Sequence, residues 1–507
     1  MSMGLQLDTA VVPDLPRRRA QMDPVRIALL VVAAIVGLAV LRVVSGENDI
    51  ASSGAIAAAI GLAVPIGMAG LGGLWSERSG VVNIGLEGMM ILGCWGSALF
   101  ALQWGPWMGL VGGILIGMVG GLIHAVATVY FGVDHVVSGV ALNLIGPGAA
   151  KYLAARCWPQ YQGAQSPTLP ELPKISIPGV SDALHSLEEQ HVFGLSDAAG
   201  ILAGLTTNMS VATVIAMGLV VVTWRVLWFT PFGLRLRSCG EAPAAAETLG
   251  VNVYTYKYVG VLVSGGLAGF GGAYLALVAA NIFRDGQTGG RGFIGLAALI
   301  FGNWRPGSLA GGALMFGYFD AIQLRGNAIH AVLLAAAIAV VTIGVVTAMR
   351  AFTSGNAPAT HTGGPLAARR DLVPALAAAL SLGLGWYASD HNTPGAVRLA
   401  IGLAGVLLLL AAIVLAVIAR RSESAVSLEA AAPAGVATAA RSGLTGAVVM
   451  IGFGLLALWW YTASDSVPSQ LTGAAPYFAT LLVLALASQN LRMPAADGVI
   501  YRKGEAH

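Results

Sequence analysis

The chain reads as apolar runs of about 20 residues separated by shorter polar connections, each run about long enough to cross a bilayer as a helix. Fourteen spans are predicted: 26–44, 51–74, 85–103, 106–131, 134–156, 209–229, 258–280, 292–303, 308–324, 327–349, 372–388, 396–419, 443–462 and 475–489. Basic residues give the orientation, because they favour the inner side of a membrane. With the N-terminus inside, the inner connections hold Arg78, Arg235, Arg237, Lys257, Arg305, Arg350, Arg369, Arg370, Arg420, Arg421 and Arg441. The outer ones hold only Lys174, Arg284, Arg291 and Arg325. This pattern predicts an all-α polytopic membrane protein with both termini cytoplasmic. The first run begins at Arg26 without the short core and cleavage site of a secretory signal, so residues 1–25 are read as a cytoplasmic tail.

Composition agrees with the pattern. Over 507 residues, 56% are hydrophobic and 10% charged, where a soluble domain carries about 25% charge. The net charge of +3 gives no reason to expect a nucleic-acid partner. Cys94, Cys157 and Cys239 are odd in number and form no CxxC, so neither a disulfide framework nor a zinc site is expected. Eight histidines lie scattered without metal-ligand spacing. The chain has no GxxxxGK[ST] phosphate loop and no GxSxG elbow, so no cofactor, resident metal or catalysis of its own is expected.

Two passages repeat. "MAGLGGLW" at 68–75 matches "LAGFGGAY" at 267–274, and "NIGLEGMMILG" at 83–93 matches "FIGLAALIFG" at 293–302. By the predicted topology the two copies run in opposite directions, as in transporters built from inverted repeats. In the first copy Asn83 and Gly85 interrupt an apolar passage, and Glu87 follows one turn later. A broken helix leaves backbone N–H groups unpaired at its second start, and lipid tolerates this only where protein or a water-filled cavity surrounds it. Asn83, Glu87 and Met90 are therefore candidates for the border of a substrate path; equally, Glu87 could neutralise the helix start or pair with Arg78. Asn143, inside the fifth span, is a candidate either for interhelical glue or for the path.

Of the two long connections, 157–208 is assigned to the outside and 230–257 to the inside. The inner one contains "GEAPAAAETLGV", which predicts a short helix with Pro243 in its first turn and Gly250 at its end. Flanked by basic residues, such a helix suits docking of a soluble partner or an ordinary place on the membrane surface.

Four stretches, "ERSGVVNIGLEGMM", "TPFGLRLRSCGEAPAAAETLGVNV", "LVSGGLAGFGGAYLAL" and "GRGFIGLAALIFGNWRPGSLAGGALMFGYFDAIQLR", closely resemble the membrane subunits of ABC importers. The similarity is to nucleoside and simple-sugar permeases, related to those for branched-chain amino acids and ribose. It covers about residues 50–325 and resumes at 476–504.

The resemblance implies an inverted-repeat type II importer fold. Its partners would be a cytoplasmic ABC ATPase, a second permease in a heterodimer, and an extracytoplasmic substrate-binding (lipo)protein. The place would be the bacterial inner (cytoplasmic) membrane. It implies a coupling helix formed by Glu241, Ala242, Pro243, Ala246, Leu249 and Gly250, with Ala242 where Asn is the family's usual residue. It adds Phe283, Gln287 and Phe293 to Asn83, Glu87, Met90 and Asn143 as candidate substrate contacts.

The chain divides accordingly into a tail (1–25), a permease core (26–326), an insertion (327–475) and a last core helix with its tail (476–507). The insertion departs from the family and carries about four additional transmembrane helices. The function implied is ATP-driven nucleoside import. The alternatives are a simple-sugar permease and an ion-coupled secondary transporter, which would need facing buried carboxylates; the repeat counterpart of Glu87 is Ala297.

Overall fold

A computed structural model describes residues 35–43, 45–176, 179–190, 192, 194–323, 325 and 491–504. The N-terminal tail, most of the span 26–44, and the spans of 327–489 lie outside the described residues.

Helix follows helix in this part of the chain. After a helical stretch at 35–43 (α1) come α2 (Ser53–Arg78), α3 (Leu86–Trp104), α4 (Pro106–Ala125), α5 (His135–Cys157), α6 (Val180–Glu189), α7 (Leu195–Thr206) and α8 (Val211–Phe229). Then follow α9 (Pro231–Glu241), α10 (Pro243–Thr248), α11 (Val253–Tyr274), α12 (Arg291–Phe301) and α13 (Pro306–Gln323). Short π turns extend α4 to Tyr130 and α11 to Ala279. Two-residue strands, β1 (Lys174–Ile175) and β2 (Met209–Ser210), pair antiparallel.

Six helices among the described residues are long and apolar enough to cross a membrane: Asn48–Arg78, Leu86–Trp104, Pro106–Tyr130, His135–Cys157, Val211–Phe229 and Val253–Ala279. They match the sequence-predicted spans to within a few residues. Their starts carry the expected caps: Ser52, Asp134, Ser210 and Asn252 accept N–H groups from the first turns of α2, α5, α8 and α11.

Two expectations change. The predicted span 292–303 is α12, whose 11 residues reach only about 16 Å, roughly half a bilayer core. The outer connection 157–208 contains α6 and α7, too short for a span-length hydropathy window. The α7 helix packs on the start of α2, where Gly200 and Gly204 approach the Ala51 and Ser53 carbonyls, and Asp197 pairs with Arg42 at 3.1 Å.

The repeated passages interlock. The leading helix of the first copy, α2, packs on α12 of the second, while α11, the second copy's leading helix, packs on α3 of the first. These contacts are much more extensive than the one between α2 and its own α3. Glycine permits the approach: a Cβ on Gly272 would lie 2.1 Å from the Met90 carbonyl oxygen, and one on Gly70 would lie 2.6 Å from that of Gly295. Close backbone contact of this kind is how helices associate where lipid supplies no hydrophobic drive.

Candidate functional site

The break after α2 places polar groups inside the bundle. Asn83 is fully buried. Its amide nitrogen donates to Ser264 Oγ on α11 at 2.8 Å, and its Oδ1 accepts the Gly85 N–H at 3.0 Å. Asn143 on α5 accepts the Gly88 N–H at 2.8 Å and donates to the Ile84 carbonyl at 2.9 Å, so it ties both sides of the break. Two histidines close on Val82 between them: His124 Nε2 lies 3.0 Å from its carbonyl, which makes that nitrogen the donor, and His135 Nδ1 accepts its N–H at 3.3 Å. The histidines of this region therefore pack and orient backbone.

Glu87 sits where the two copies meet. Its Oε1 accepts the Gly290 N–H at 2.9 Å and its Oε2 accepts the Gly292 N–H at 2.7 Å. Both donors belong to the start of α12, so the carboxylate neutralises the positive end of a helix in the other copy, from the first turn of its own α3. Gly290 caps α12 at φ +80°, where a side chain is strained. A Cβ on Gly292 would come within 2.8 Å of the same carboxylate. Beside it Arg291 pairs with Asp320 of α13 at 2.6 Å, so Arg291, assigned from sequence to an outer connection, begins a helix inside the bundle.

The other candidates are dispersed. Met90 is fully buried and lies in the principal apolar cluster. Phe283 is also sealed, its ring 6.4 Å from that of Trp158 and its N–H on Ser166 Oγ at 2.9 Å. Gln287 turns back on its own loop to accept the Arg284 N–H at 2.6 Å. Phe293 projects outward, 47% exposed. The arrangement thus brings Asn83, Glu87 and Asn143 together around Ser264, Gly290 and Gly292, none of which the sequence had singled out.

A second constellation occupies the end of the bundle where α2 finishes. The α10 helix starts at Pro243 as expected and stops before Gly250 at φ +82°. Ala246 is buried toward the bundle, while Leu249 stands 84% exposed at the tip. Ala242 joins α9 to α10. Glu241 bonds Arg78 at 3.4 Å and accepts the Ala495 N–H at 3.1 Å. Arg78 also donates to the Trp304 carbonyl at 2.9 Å, and the Trp304 indole N–H donates to Glu77 at 2.5 Å. Lys257 donates to the Gly80 carbonyl at 2.9 Å. Asp497, from the C-terminal segment, is buried beside Glu77 and Lys257; burial and then the Glu77 charge push its carboxyl up to about 9. Burial likewise pushes the Cys239 thiol up to about 11. This cluster could not be read from sequence, since its members lie far apart along the chain.

No group of three or more His, Cys, Asp or Glu side chains among the described residues could hold a metal ion. The geometry is that of a helix bundle in which the starts of α3 and of the half-length α12 meet, with a short helix standing at one end. Residues 55–345 match the family described as the permease component of branched-chain amino acid transport systems. The chain belongs to this permease family. Relatives agree. This permease is 40% identical over 273 residues to a guanosine ABC transporter permease protein, NupQ, of Bacillus subtilis, a match covering 52% of this chain and 80% of the relative. It is 38% identical over 272 residues to a nucleoside ABC transporter permease protein, NupC, of Lactococcus lactis, covering 52% and 80%. A putative glucose ABC transporter permease protein, TsgC13, of Haloferax volcanii is 34% identical over 280 residues, covering 55% and 79%. No solved structure matches the chain.

Proposed function

We propose that this chain is the non-catalytic membrane subunit of an ATP-driven importer of nucleosides. The observation that carries the reading is the 38–40% identity, over 52% of the chain, to permeases named for guanosine and nucleosides. In this reading the end bearing α10 faces the cytoplasm of a bacterial cell, as do both termini, and the full chain has fourteen spans. An ABC ATPase receives Leu249 and its neighbours Glu241, Ala242, Pro243 and Gly250, while Ala246 seats the helix. A second, non-identical permease completes the pathway, and a binding protein delivers substrate to the outer face near 157–208.

The mechanism is alternating access, to which the chain contributes different stabilities of its inward and outward states. Movement of α10 passes through α9 to α2, because a Cβ on Gly240 would lie only 2.4 Å from the Arg78 carbonyl oxygen. The α2 helix bears on α12, and Glu87 holds the start of α12 to α3. In this reading the substrate passes along the face that presents Phe293, beside the contact of Glu87 with the start of α12 and near Asn143, while the sealed Asn83, Met90 and Phe283 and the loop residue Gln287 support the path from within the fold. The 34% identity to a putative glucose permease keeps a sugar as the second reading. For ion coupling Glu87 is no free carboxylate, since both its oxygens accept backbone N–H groups.

The test is uptake of labelled guanosine, uridine and ribose by cells making this chain with its ATPase, second permease and binding protein, with and without a proton uncoupler. Nucleoside uptake that survives the uncoupler and is lost in Glu241→Arg is expected. Ribose uptake with the same pattern would replace the cargo. Uptake by the chain alone that the uncoupler abolishes would overturn the reading.

A further inference from the structure

Beyond α10 itself, the end of the bundle is bound together by a segment from the far end of the sequence. Residues 491–504 reach the turn after α12 and four helices, α9, α2, α11 and α10. The Arg492 N–H donates to Asn303 Oδ1 at 2.8 Å in the turn after α12, and the Ala495 N–H donates to Glu241 Oε2 at 3.1 Å. The Ala496 N–H donates to the Gly240 carbonyl at 2.9 Å. Asp497 lies buried close to Glu77 of α2 and Lys257 of α11. Tyr501 then packs its ring 5.4 Å from that of Tyr254, and its hydroxyl donates to Glu247 Oε2 on α10 at 2.5 Å.

The position of α10 depends on this segment. Its one buried residue, Ala246, lies in a cluster completed by Cys239, Val253 and Tyr501, so one of the three buried side chains that seat it comes from the segment. A six-residue helix is too short to hold itself by propagation alone. A segment bonded at one end to α10 and at the other to the turn beside Glu77 and Trp304 spans the route by which a push on α10 must reach α2 and α12.

We propose that residues 491–504 form a transmission strap, in which Tyr501 and Asp497 are positioning residues that fix the docking helix α10 to the closing end of α2. Motion of an ATPase on α10 is then delivered to the Glu77–Trp304 closure through the strap as well as through α9. This inference rests on the reading that an ATPase docks on α10.

The test uses the complete transporter, ATPase and second permease included, reconstituted in lipid vesicles with its binding protein. The probe is whichever of labelled guanosine, uridine or ribose the unaltered complex takes up. Variants carry Asp497→Ala with Tyr501→Phe, or Asp497→Asn with Tyr501 intact. In the double variant the ATPase is expected to co-purify and hydrolyse ATP at close to the unaltered rate, while uptake per ATP falls by about tenfold, the scale of a typical coupling between sites. Asp497→Asn, which retains the neutral carboxyl's shape, should restore uptake per ATP. Unchanged uptake per ATP in the double variant would overturn the strap. So would a parallel fall of yield, hydrolysis and uptake, which marks a merely structural role. Leu249→Asp is run alongside and should release the ATPase; retention of the ATPase there would overturn the docking reading itself, whatever the strap variants do.

Discussion

The helices that begin at Leu86 and Arg291 follow or contain the same Ile-Gly-Leu, at 84–86 and 294–296, but their surroundings differ in polarity. In the first copy Asn83 is sealed and bonded to Ser264, and Glu87 reaches across to two N–H groups. At the matching positions of the second copy stand Phe293, half exposed, and Ala297, packed among Ile66, Phe316 and their neighbours. The phrases are alike and the chemistry is not. One passage carries the carboxylate and the other supplies the N–H groups that receive it, so this charge needs no counterpart at Ala297. Energetically this is reasonable, because a carboxylate accepting two N–H groups at a helix start is stabilised where an isolated one is costly.

The symmetric part of the comparison should break first. Gly70→Val and Gly269→Val, matched positions in the two leading helices, each force a Cβ within 2.6 Å of a facing carbonyl oxygen, and each should cost more than about 4 kcal/mol and abolish folded protein. Recovery of monodisperse protein in detergent checks this, and the two substitutions should be equally damaging. The asymmetric part comes next. Ala297→Glu puts a carboxylate among apolar side chains with no donor at hand, at a cost of at least about 3 kcal/mol. If it is tolerated as Glu87 is, the copies are interchangeable and the asymmetry carries no meaning.

Glu87→Ala should follow in size. It orphans the Gly290 and Gly292 N–H groups, which at about 1–3 kcal/mol per group predicts a loss of about 2–6 kcal/mol. Glu87→Gln keeps an acceptor and should lose about half as much by the same reckoning. Thermal unfolding of the purified protein measures both.

A smaller effect is expected at the other constellation. Asp497 is raised from its ordinary 3.8 to about 9 by burial and by Glu77, while Lys257 and the Gly498 N–H oppose the rise. The folded state therefore holds a proton that the unfolded chain releases near pH 4. The contribution of Asp497 is fully present below that pH and is lost as pH rises through about 9. Melting temperature should fall over this window in the unaltered protein and more gently in Asp497→Asn. Identical pH profiles would place the titration elsewhere. Phe293→Ala, on an exposed face, should change stability by less than about 0.5 kcal/mol and alter uptake alone.

The six long spans, the repeat and α10 were legible in the sequence because each rests on local signals: apolar length, a shared Gly-rich phrase, and a proline and glycine bounding a short helix. Much of the site was not. The partners of Glu87 are backbone N–H groups at 290 and 292, and glycines in a Gly-rich chain announce no such role. Ser264 carried no signal at all, and His124 and His135, which show no metal-ligand spacing, pack around the break. The α7 helix was hidden by its length of 12 residues. The contact of Asp497 with Glu77 joins positions 420 apart in sequence, which only the folded chain brings together. Phe283 and Gln287 entered as candidates by resemblance, and the structure places them on the loop before α12 with their own local partners.

The most direct test of the account is uptake of labelled guanosine into vesicles holding this permease, its partner permease and their ATPase, with binding protein outside and ATP either absent or trapped where the ATPase sits. The account predicts uptake that requires ATP, ignores an imposed proton or sodium gradient, and falls in Glu87→Ala. Uptake driven by an ion gradient without ATP, and unchanged by removal of the Glu87 carboxylate, would contradict it.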